Sequence, residues 1–394
     1  MNRTANAGNR GDRIRSDCQV KLQLLEKGGI EIRLQSKVER MFGEQIRQQA
    51  LEVLESLEVS HAILEIEDSG ALPFVIGARI EAAVKKLRPT AKYWIPQVIE
   101  QSRYETGRER FRFSRLYLPG NSPSMMLNAG IHQPDGIILD LEDSVAPDRK
   151  AEARLLVRNA LCQVDFYGAE RMVRINQLPA GLKDLDEVVP QHLHLILLPK
   201  CEHGTQVVEV AERINTILKA HKQDREIYLM PIIESCLGVE NAFEIASASD
   251  TVVALAIGLE DYTADLGVKR TESGEESLYA RTRLVNACKA AGIQPIDSVY
   301  SDVANMEGLK KNVETSRALG FEGMGCIHPR QVPVIQEAFT PTKEEIEKAS
   351  LIVKAFEEAE AQGSGVVALG SKMIDPPVVK RAQKTLELAR KLNS

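Results

Sequence analysis

The stretch 136–143 reads GIILDLED and decides the fold. An apolar run that passes straight into acidic residues is typical of a strand buried on both faces whose carboxyl end reaches solvent. Seven other apolar runs alternate with segments of helical spacing, and the eight runs together are 115–118, 136–141, 172–175, 193–198, 227–233, 252–257, 294–299 and 323–327. Strands that alternate with helices pair in parallel, so eight of them predict an α/β protein built on a (β/α)8 TIM barrel rather than an open sheet.

Polar residues stand at or just after the ends of these runs, where barrel enzymes build their sites. They include Asp140, Glu142, Asp143, Arg174, Lys200, Glu234, Glu260, Asp261, Asp297 and His328. Glu234 and Asp261 could each give one oxygen to a single cation, with water and substrate oxygens completing the octahedron that Mg²⁺ prefers. The alternative is a structural ring at the barrel mouth, in which Arg174 and Lys200 neutralise the acids.

Composition excludes several classes of function. The 394 residues are 43% hydrophobic and 27% charged, which suits a soluble protein of two or three domains. The net charge of −6 comes without a basic stripe, so nucleic acid is not expected as a partner. The sequence begins without an apolar signal core and has no stretch that could span a bilayer, which predicts a cytoplasmic protein without membrane contact. Its six cysteines lack a C-x-x-C pair and are expected to be free thiols without a role.

The residues before the first barrel strand have the period of a small α+β domain. The predicted elements are a hairpin of 20–24 and 30–34, a helix over 38–57, a strand over 61–67 and a helix over 74–87. Ser36 stands three residues before Glu39, the spacing of a capping box at the start of the first helix. Residues 89–112 mix two prolines with many charges and lack a clear period, which predicts a linker between two independently packed bodies.

Eight strings, in order on the eight strands, resemble the beta subunit of citrate lyase, within the citrate lyase/malyl-CoA lyase group of the HpcH/HpaI aldolase family. They are YLPGNSPSMMLNA, IILDLEDSVAPDRKAEAR, VRIN, LILLPK, PIIESCLG, AIGLEDYTADLG, IDSVYSDVAN and IHPRQV, and the likeness extends over roughly 112–390. The resemblance implies a metal, Mg²⁺ or Mn²⁺, held by Glu234 and Asp261. It also makes Arg174 the arginine that binds substrate.

Further roles follow from the same resemblance. Pro119 and Gly120, the PG motif after the first strand, are expected to contact substrate. Glu142 and Asp143 match the family's acidic cluster beside the metal, and either could accept a proton directly or through water. Lys200 is expected to assist catalysis through its charge alone.

The C-terminal residues resemble the family's lid. Thr342 and Glu345 have the spacing of a capping box, and the string GSKMIDPPVV places the lid's aspartate at Asp375. In relatives this aspartate reaches the site of a neighbouring subunit, so the resemblance implies a homo-oligomer, usually a trimer. Asp375 is the preferred proton acceptor, and a structural loop aspartate is the alternative.

Residues from about 10 to 88 resemble the gamma subunit of citrate lyase, an acyl carrier whose serine holds a phosphoribosyl-dephospho-CoA arm. The motif there is Ser, then Ser or Gly, then Asp, and a gapless match puts Arg15 where the modified serine belongs. Ser16 is therefore the candidate attachment site, and an unmodified turn serine is the alternative. The expected domains are a carrier-like domain over 1–90, a linker over 91–111, the barrel over 112–340 and the lid over 341–394.

These likenesses predict a lyase that cleaves a citryl thioester, on a carrier or on CoA, to oxaloacetate and an acetyl thioester. Relatives that act on free CoA tend to carry Arg and Lys after the PG motif, whereas here Ser124 and Asn128 stand there, which favours a substrate on a tethered arm. A separate alpha-type transferase subunit is then expected as partner. The alternatives are a citramalyl- or malyl-thioester lyase, a free-CoA lyase whose N-terminal domain is unused, or a non-catalytic carrier and scaffold.

Overall fold

The structure is a computed structural model that describes residues 4–361, 367–369 and 372–393. The chain divides into two compact units, one up to Val332 and the other from Pro333. The first unit contains a four-stranded sheet and an eight-stranded barrel, and the second contains helices with a short hairpin. No helix among the described residues is both long and apolar enough to cross a membrane.

The N-terminal part is an α+β layer of four strands and two helices. Its elements are β1 (Thr4–Gly8), β2 (Cys18–Leu24), β3 (Ile30–Ser36), α1 (Glu39–Ser56), β4 (Ala62–Asp68) and α2 (Pro73–Leu87). The strand order is β1-β2-β4-β3, with β2 antiparallel and β3 parallel to β4. Both helices bury an apolar face, which in α1 includes Ile46, Val53 and Leu54.

Two local predictions for this part are wrong. β2 and β3 do not form a hairpin, because β4 lies between them and Leu64 pairs with Leu22 on one side and Ile32 on the other. The helix α1 supplies the crossover that a parallel β3–β4 pair requires. Ser36 does not form a capping box, since its hydroxyl donates to Asp68 at 2.5 Å and α1 begins after Val38 without a side-chain cap. β1 lies outside the predicted elements.

The barrel has the eight predicted strands. They are β5 (Ser114–Pro119), β6 (Gly136–Asp140), β7 (Glu170–Arg174), β8 (Leu195–Leu198), β9 (Tyr228–Ile233), β10 (Ala254–Ile257), β11 (Gln294–Ile296) and β12 (Met324–Cys326). The helices of the first unit after β5 are α3 (Pro123–Ala129), α4 (Lys150–Gln163), α5 (Leu182–Val188), α6 (Gly204–Ala220), α7 (Cys236–Glu240), α8 (Ala242–Ala246), α9 (Leu259–Leu266), α10 (Leu278–Ala291) and α11 (Met306–Leu319), and α12 (Gln331–Phe339) crosses into the second unit.

The eight strands close on themselves. Neighbours pair in parallel in the order β11-β10-β9-β8-β7-β6-β5-β12. Asp297 joins the two ends, because its backbone N–H donates to the carbonyl of Gly323 at 2.8 Å and its carbonyl accepts from Gly325 at 3.2 Å. Side chains such as Met172, Leu197 and Met230 fill the interior, so the barrel is a packed core with its opening at the carboxyl ends of the strands.

The N-terminal sheet layer packs against the outside of the barrel through α2 and α4. Arg158 of α4 and Glu81 of α2 form an ion pair that is fully buried at this interface. Between the two parts, Trp94 lies on Gly77 of α2, where an added Cβ would come within 2.0 Å of the indole. Residues 91–111 also contact the barrel, since Tyr104 donates its hydroxyl hydrogen to the carbonyl of Ala169 at 2.5 Å. Residues 91–111 therefore pack against the barrel, whereas a linker between two independently packed bodies was expected.

The second unit contains α13 (Lys343–Ala361), β13 (Val367–Leu369), β14 (Lys372–Ile374) and α14 (Pro376–Asn393). The predicted capping box is present: the backbone N–H of Thr342 donates to the Glu345 carboxylate at 2.9 Å, and the N–H of Glu345 donates to the Thr342 hydroxyl at 3.2 Å. The antiparallel pair β13–β14 leads to Asp375. The Asp375 carboxylate accepts from the N–H of Val378 at 3.2 Å, so this side chain caps α14.

Candidate active site

A cavity of about 430 Å³ opens at the carboxyl ends of the barrel strands. Its polar walls are formed by Arg115, Tyr117, Asp140, Asp143, Ser144, Arg174, Glu234, Glu260, Asp261, Asp297 and Ser298. Ile232, Ala256, Ile257, Leu259, Val299 and Ile327 contribute apolar surface. Ligand sites are usually concave and mostly apolar with a few convergent polar groups, and this cavity fits that description.

Arg174, the last residue of β7, is clamped by Asp140, the last residue of β6. The Arg174 Nε and one terminal nitrogen donate to the two Asp140 carboxylate oxygens at 2.6 and 2.8 Å. Burial opposes the charge on both side chains, but their mutual hydrogen bonds and attraction outweigh it, raising the pKa of Arg174 and lowering that of Asp140. The guanidinium also lies 5.4 Å from the Tyr117 ring centre. Arg174 is therefore a permanently charged, fixed group in the cavity wall.

The acidic pair after β6 connects Arg174 to Lys200. Glu142 is buried, with one carboxylate oxygen 2.9 Å from a terminal nitrogen of Arg174 and the other 3.0 Å from Lys200 Nζ. Burial raises the pKa of Glu142, and the nearby Asp143 raises it further. Asp143 is more exposed and lies 3.4 Å from Arg174. The structure thus brings together these four sequence-predicted residues as one network.

Lys200 links this network to Glu234 through its backbone. Its φ of 48° lies in the left-handed region, which is rare for a residue with a side chain. In that conformation the Lys200 N–H donates to one Glu234 carboxylate oxygen at 2.9 Å, while Lys200 Nζ lies 3.9 Å from Asp261. Lys200 therefore lies close to both candidate metal ligands, with its backbone N–H on Glu234 and its side chain near Asp261.

Glu234 follows β9 and is buried, and burial is the main reason its pKa rises to about 7. A glycine makes room for it, because a Cβ on Gly258 would come within 2.5 Å of the second Glu234 oxygen. That second oxygen receives no hydrogen bond from the residues that the structure describes. A largely buried carboxylate with one oxygen open to a cavity is a site that a cation would stabilise.

Asp261 lies in the first turn of α9, and its side chain is 46% exposed. Both Asp261 and Glu234 line the cavity, and both offer the oxygen ligands that Mg²⁺ prefers. Within the described parts of the chain, no three His, Cys, Asp or Glu side chains are grouped to hold a metal ion. A magnesium ion, which usually keeps several waters, fits a site of two carboxylates.

Gly120 and His328 do not line the cavity, whereas Asp297 does. The N–H of Gly120, which follows Pro119, donates to the carbonyl of Asp140 at 2.8 Å, so the PG motif holds the end of β6 in place. The Asp297 carboxylate lines the cavity but is bonded to Arg281 and to Ser316 at 2.5 and 2.6 Å. His328 Nδ1 accepts from the N–H of Arg330 at 3.1 Å.

Sequence reasoning missed Arg115 and Tyr117 as cavity residues, although it predicted their strand. Both belong to β5 and line the cavity. The available signal was an arginine at the start of a largely apolar barrel strand.

Ser16 does not line the cavity and contacts the N-terminal domain. It is half-buried with a φ of 55°, its N–H donates to the carbonyl of Ser69 at 3.1 Å, and Arg15 is exposed. The next residue, Asp17, forms a buried two-point ion pair with Arg79 at 3.0 and 2.9 Å. Arg79 also donates to the carbonyl of Asn121, which directly follows the PG motif, at 3.4 Å.

Comparisons with known proteins cover both parts of the chain. A family model described as HpcH/HpaI aldolase/citrate lyase matches residues 114–329, and one described as malonate decarboxylase delta subunit (MdcD) matches residues 3–87. Citrate lyase subunit beta of Haemophilus influenzae is 40% identical over 284 residues, which are 71% of this chain and 98% of that protein. Mitochondrial citramalyl-CoA lyase of Rattus norvegicus is 33% identical over 290 residues, which are 70% of this chain and 85% of that protein.

Solved structures show the same likeness. The structure of CitE from Mycobacterium tuberculosis in complex with magnesium, acetoacetate and coenzyme A has a TM-score of 0.61 and 29% identity, and the match covers 72% of this chain and all of that one. The citrate lyase beta subunit from the same organism, complexed with oxaloacetate and magnesium, has a TM-score of 0.51 and 30% identity over 59% of this chain and 99% of its own.

Proposed function

The chain belongs to the HpcH/HpaI aldolase/citrate lyase family, and from that premise we propose that it is a carbon–carbon lyase acting on a citryl thioester. The products would be oxaloacetate and an acetyl thioester. The observation that carries the proposal is the grouping of Glu234, Asp261 and the clamped Arg174 around one cavity at the barrel mouth. A solved relative with oxaloacetate and magnesium supports the same substrate class.

The reaction is a retro-Claisen cleavage. A base removes the proton from the tertiary hydroxyl, the bond between the carbinol carbon and the thioester's α-carbon breaks, and the hydroxyl oxygen becomes the ketone of oxaloacetate. The electron pair passes to the thioester as an enolate, which takes up a proton to give the acetyl thioester. The protein must therefore orient the breaking bond and stabilise negative charge.

Glu234 and Asp261 are proposed to hold Mg²⁺. The pKa of Glu234 is raised mainly by burial, which indicates that its carboxylate is poorly stabilised alone, and Asp261 would supply the second anionic ligand. When bound, the ion would act as a Lewis acid toward the substrate's hydroxyl and adjacent carboxylate. The backbone N–H of Lys200 holds one of the two Glu234 oxygens, so the other would be available to the ion.

Arg174 is proposed to bind the carboxylate next to the hydroxyl, or the oxygen that becomes the ketone. Its two bonds to Asp140 hold the guanidinium plane still, so little side-chain entropy is lost when a substrate oxygen arrives. Lys200 adds positive charge from the same side and is itself held by Glu142. Both cations act before and during bond cleavage without gaining or losing a proton.

Asp375 from a neighbouring subunit is our proposed proton acceptor, which requires a homo-oligomer such as a trimer. Glu142 is the alternative within the same barrel, because burial raises its pKa above the ordinary value and so makes it a better base. Glu142 already contacts Arg174 and Lys200, and these two cations oppose its protonation, which weakens its case as the proton acceptor.

The N-terminal domain is proposed to carry the substrate on a phosphoribosyl-dephospho-CoA arm at Ser16. The proposal is supported by the next residue, Asp17, which pairs with Arg79, because Arg79 also donates to the carbonyl of Asn121 directly after the PG motif. A carrier fixed at the rim raises the effective concentration of its thioester without any new contact in the cavity. An alpha-type transferase subunit would then exchange the acyl group on the arm.

The deciding experiment is an assay of the purified chain with magnesium against citryl-CoA, citramalyl-CoA and malyl-CoA. We expect oxaloacetate from citryl-CoA. Pyruvate from citramalyl-CoA alone would replace the substrate with that of the Rattus norvegicus relative and keep the mechanism. Absence of every keto acid, both from the free thioesters and from the chain isolated with its native modification, would overturn the lyase proposal.

A further inference from the structure

Arg115 is a buried arginine at the floor of the cavity. It lies on β5, two residues before Tyr117, and its side chain points into the barrel. The residue is 1% exposed, yet it lines the same cavity as Glu234 and Arg174. It is thus a second positive group, deeper than the network at the mouth.

The described residues provide no acidic partner for this charge. No carboxylate lies within ion-pair distance of Arg115, its Nε has no hydrogen-bond partner, and the one contact of its terminal nitrogens is with the sulfur of Met230 at 2.8 Å. Burial lowers the pKa of Arg115 to about 10, which still leaves it charged at neutral pH. Burying a charge without a partner costs on the order of several kcal/mol, which is a large part of the free energy of unfolding of a typical domain.

The barrel is shaped to accept this side chain. At its register the two neighbouring strands both carry glycine: Arg115 pairs with Gly136 of β6 and with Gly325 of β12. A Cβ on Gly136 would come within 2.5 Å of Met172 and 3.5 Å of the Arg115 side chain. A Cβ on Gly325 would come within 3.1 Å of Tyr117. Glycine at these two positions makes room for Met172 on one side of Arg115 and for Val299 and Tyr117 on the other.

We infer that Arg115 binds the second free carboxylate of the substrate, the one on the side chain that distinguishes a citryl thioester from its smaller analogues. This inference rests on the proposed function. The citryl group carries a carboxymethyl substituent on its carbinol carbon, where a citramalyl group carries a methyl and a malyl group a hydrogen. Arg174 takes the carboxylate beside the hydroxyl at the mouth, and Arg115 takes the other at the floor.

The physical consequence is selectivity. A carboxylate at the floor satisfies the free donors of Arg115 and forms an ion pair shielded from water. A methyl or hydrogen leaves the guanidinium buried and unpaired, and sites built around a polar group reject analogues that lack it far more strongly than hydrophobic pockets reject a missing methylene. Arg115 therefore acts as a specificity residue that touches substrate but takes no part in proton transfer.

The test compares Arg115→Met with Arg115→Lys and the unchanged chain. We expect kcat/KM for citryl-CoA to fall at least about 100-fold in Arg115→Met, while kcat/KM for citramalyl-CoA stays the same or rises. Arg115→Lys, which keeps the charge on a different head group, should recover part of the citryl activity. Equal losses for both thioesters, or no loss for either, in a folded Arg115→Met protein would overturn the inference.

Binding of the keto-acid products gives a readout that does not require turnover. Oxaloacetate has the second carboxylate and pyruvate lacks it, so calorimetry with magnesium should show a preference for oxaloacetate that disappears in Arg115→Met. If the unchanged chain cleaves none of the thioesters, the lyase proposal fails but this preference can still be measured. If Arg115→Met does not fold, equal affinity of the unchanged chain for both acids would refute the role of Arg115.

Discussion

Arg158 of α4 and Glu81 of α2 form a two-point ion pair between the barrel and the N-terminal domain. The two terminal nitrogens of Arg158 lie 3.1 and 2.6 Å from the two carboxylate oxygens of Glu81. Both side chains are buried, and Arg158 also donates to the carbonyl of Trp94 at 2.8 Å. The domain that we propose as the carrier is therefore held on the barrel by a specific charged contact rather than connected only by a linker.

Removing either partner of this pair should destabilise the protein. Glu81→Gln leaves Arg158 with Glu187 as its ion-pair partner, and Arg158→Met leaves Glu81 with Lys85, so each should lower the free energy of unfolding by about 2–3 kcal/mol. The double variant should lose less than the sum of the two, because the two side chains interact directly with each other. Chemical denaturation measures all three values.

The control for this experiment is an exposed ion pair in the same domain. Lys21 and Glu65 lie 3.0 Å apart on the surface of the N-terminal sheet. Glu65→Gln should change the free energy of unfolding by less than about 1 kcal/mol. Strictly additive effects of Glu81→Gln and Arg158→Met would show that the two side chains act independently and would contradict the docking role.

The sequence was sufficient to predict the barrel because each strand is a short apolar run with a polar residue at its end. The strand β6 shows this most clearly, since five buried residues end at Asp140 beside Glu142. All parallel strands of a barrel present these ends at one rim, so Arg174, Lys200 and Glu234 could be placed together without knowing any contact.

The sequence could not identify interactions between elements that share no pattern. Alternation showed one buried face on β2 and β3, but nothing local indicated that β4 would lie between them. Glu81 and Arg158 look like ordinary polar positions on two helices, and only the packing of α2 on α4 buries them. Arg115 was overlooked for the same reason, because its environment is made by glycines on two other strands.

His194 should make the protein sensitive to acid. Its Nδ1 accepts from the backbone N–H of Arg171 at 3.0 Å, and its Nε2 lies 2.9 Å from the carbonyl of Tyr104, which ties the segment before the barrel to β7. Burial, together with the charge of Arg171, lowers the pKa of His194 to about 3. Protonation would place a hydrogen on Nδ1 that faces the backbone N–H of Arg171, so the hydrogen bond between them would be lost.

The lowered pKa of His194 makes the folded protein less stable in acid. The unfolded chain takes up the proton near pH 6.5, whereas the folded protein resists it to about pH 3, so stability is complete above pH 6.5 and falls as the pH drops through that window. At pH 5 the loss should be about 2 kcal/mol. Denaturation curves at pH 7 and pH 5 measure it. His194→Gln should flatten the difference and the exposed His221→Gln should not; an equal pH dependence in both variants would contradict the assignment.

Ser16 should carry the prosthetic group if the N-terminal domain is a working carrier. We expect the intact native chain to be heavier than its sequence by the mass of the arm, and Ser16→Ala to abolish this added mass without unfolding the domain. Arg15→Ser creates the family's serine next to it and is the informative comparison. Modification that persists in Ser16→Ala, or a native chain without any added mass, would refute this attachment site.

The two cavity carboxylates should be indispensable for activity. Glu234→Gln and Asp261→Asn each remove one anionic ligand from the proposed metal site, and kcat should fall by about 100- to 1,000-fold or more. Glu234→Gln should not lower the stability of the metal-free protein, since burial already opposes the Glu234 charge. Asp265→Asn, one turn further along α9, is the matched control and should retain activity. Full activity of either cavity variant in the presence of a chelator would refute the metal proposal.

Asp375 offers a test of both the base and the oligomer. Asparagine caps helices as well as aspartate, so Asp375→Asn should preserve α14 while losing the proton acceptor. We expect kcat to fall by about 100-fold or more and KM to change little. If the residue acts in a neighbour's site, co-expression with Glu234→Gln should restore activity, because barrels from one variant can meet lids from the other.

In a cyclic oligomer assembled from equal amounts of the two variants, about a quarter of the sites combine a barrel that keeps Glu234 with a neighbouring lid that keeps Asp375. The mixed preparation should therefore recover about a quarter of the native rate, whereas either variant alone stays inactive. Native mass spectrometry confirms that mixed oligomers have formed. Mixed oligomers that remain inactive would exclude Asp375 as a base supplied by a neighbour and would transfer that role to Glu142, which lies within the same barrel.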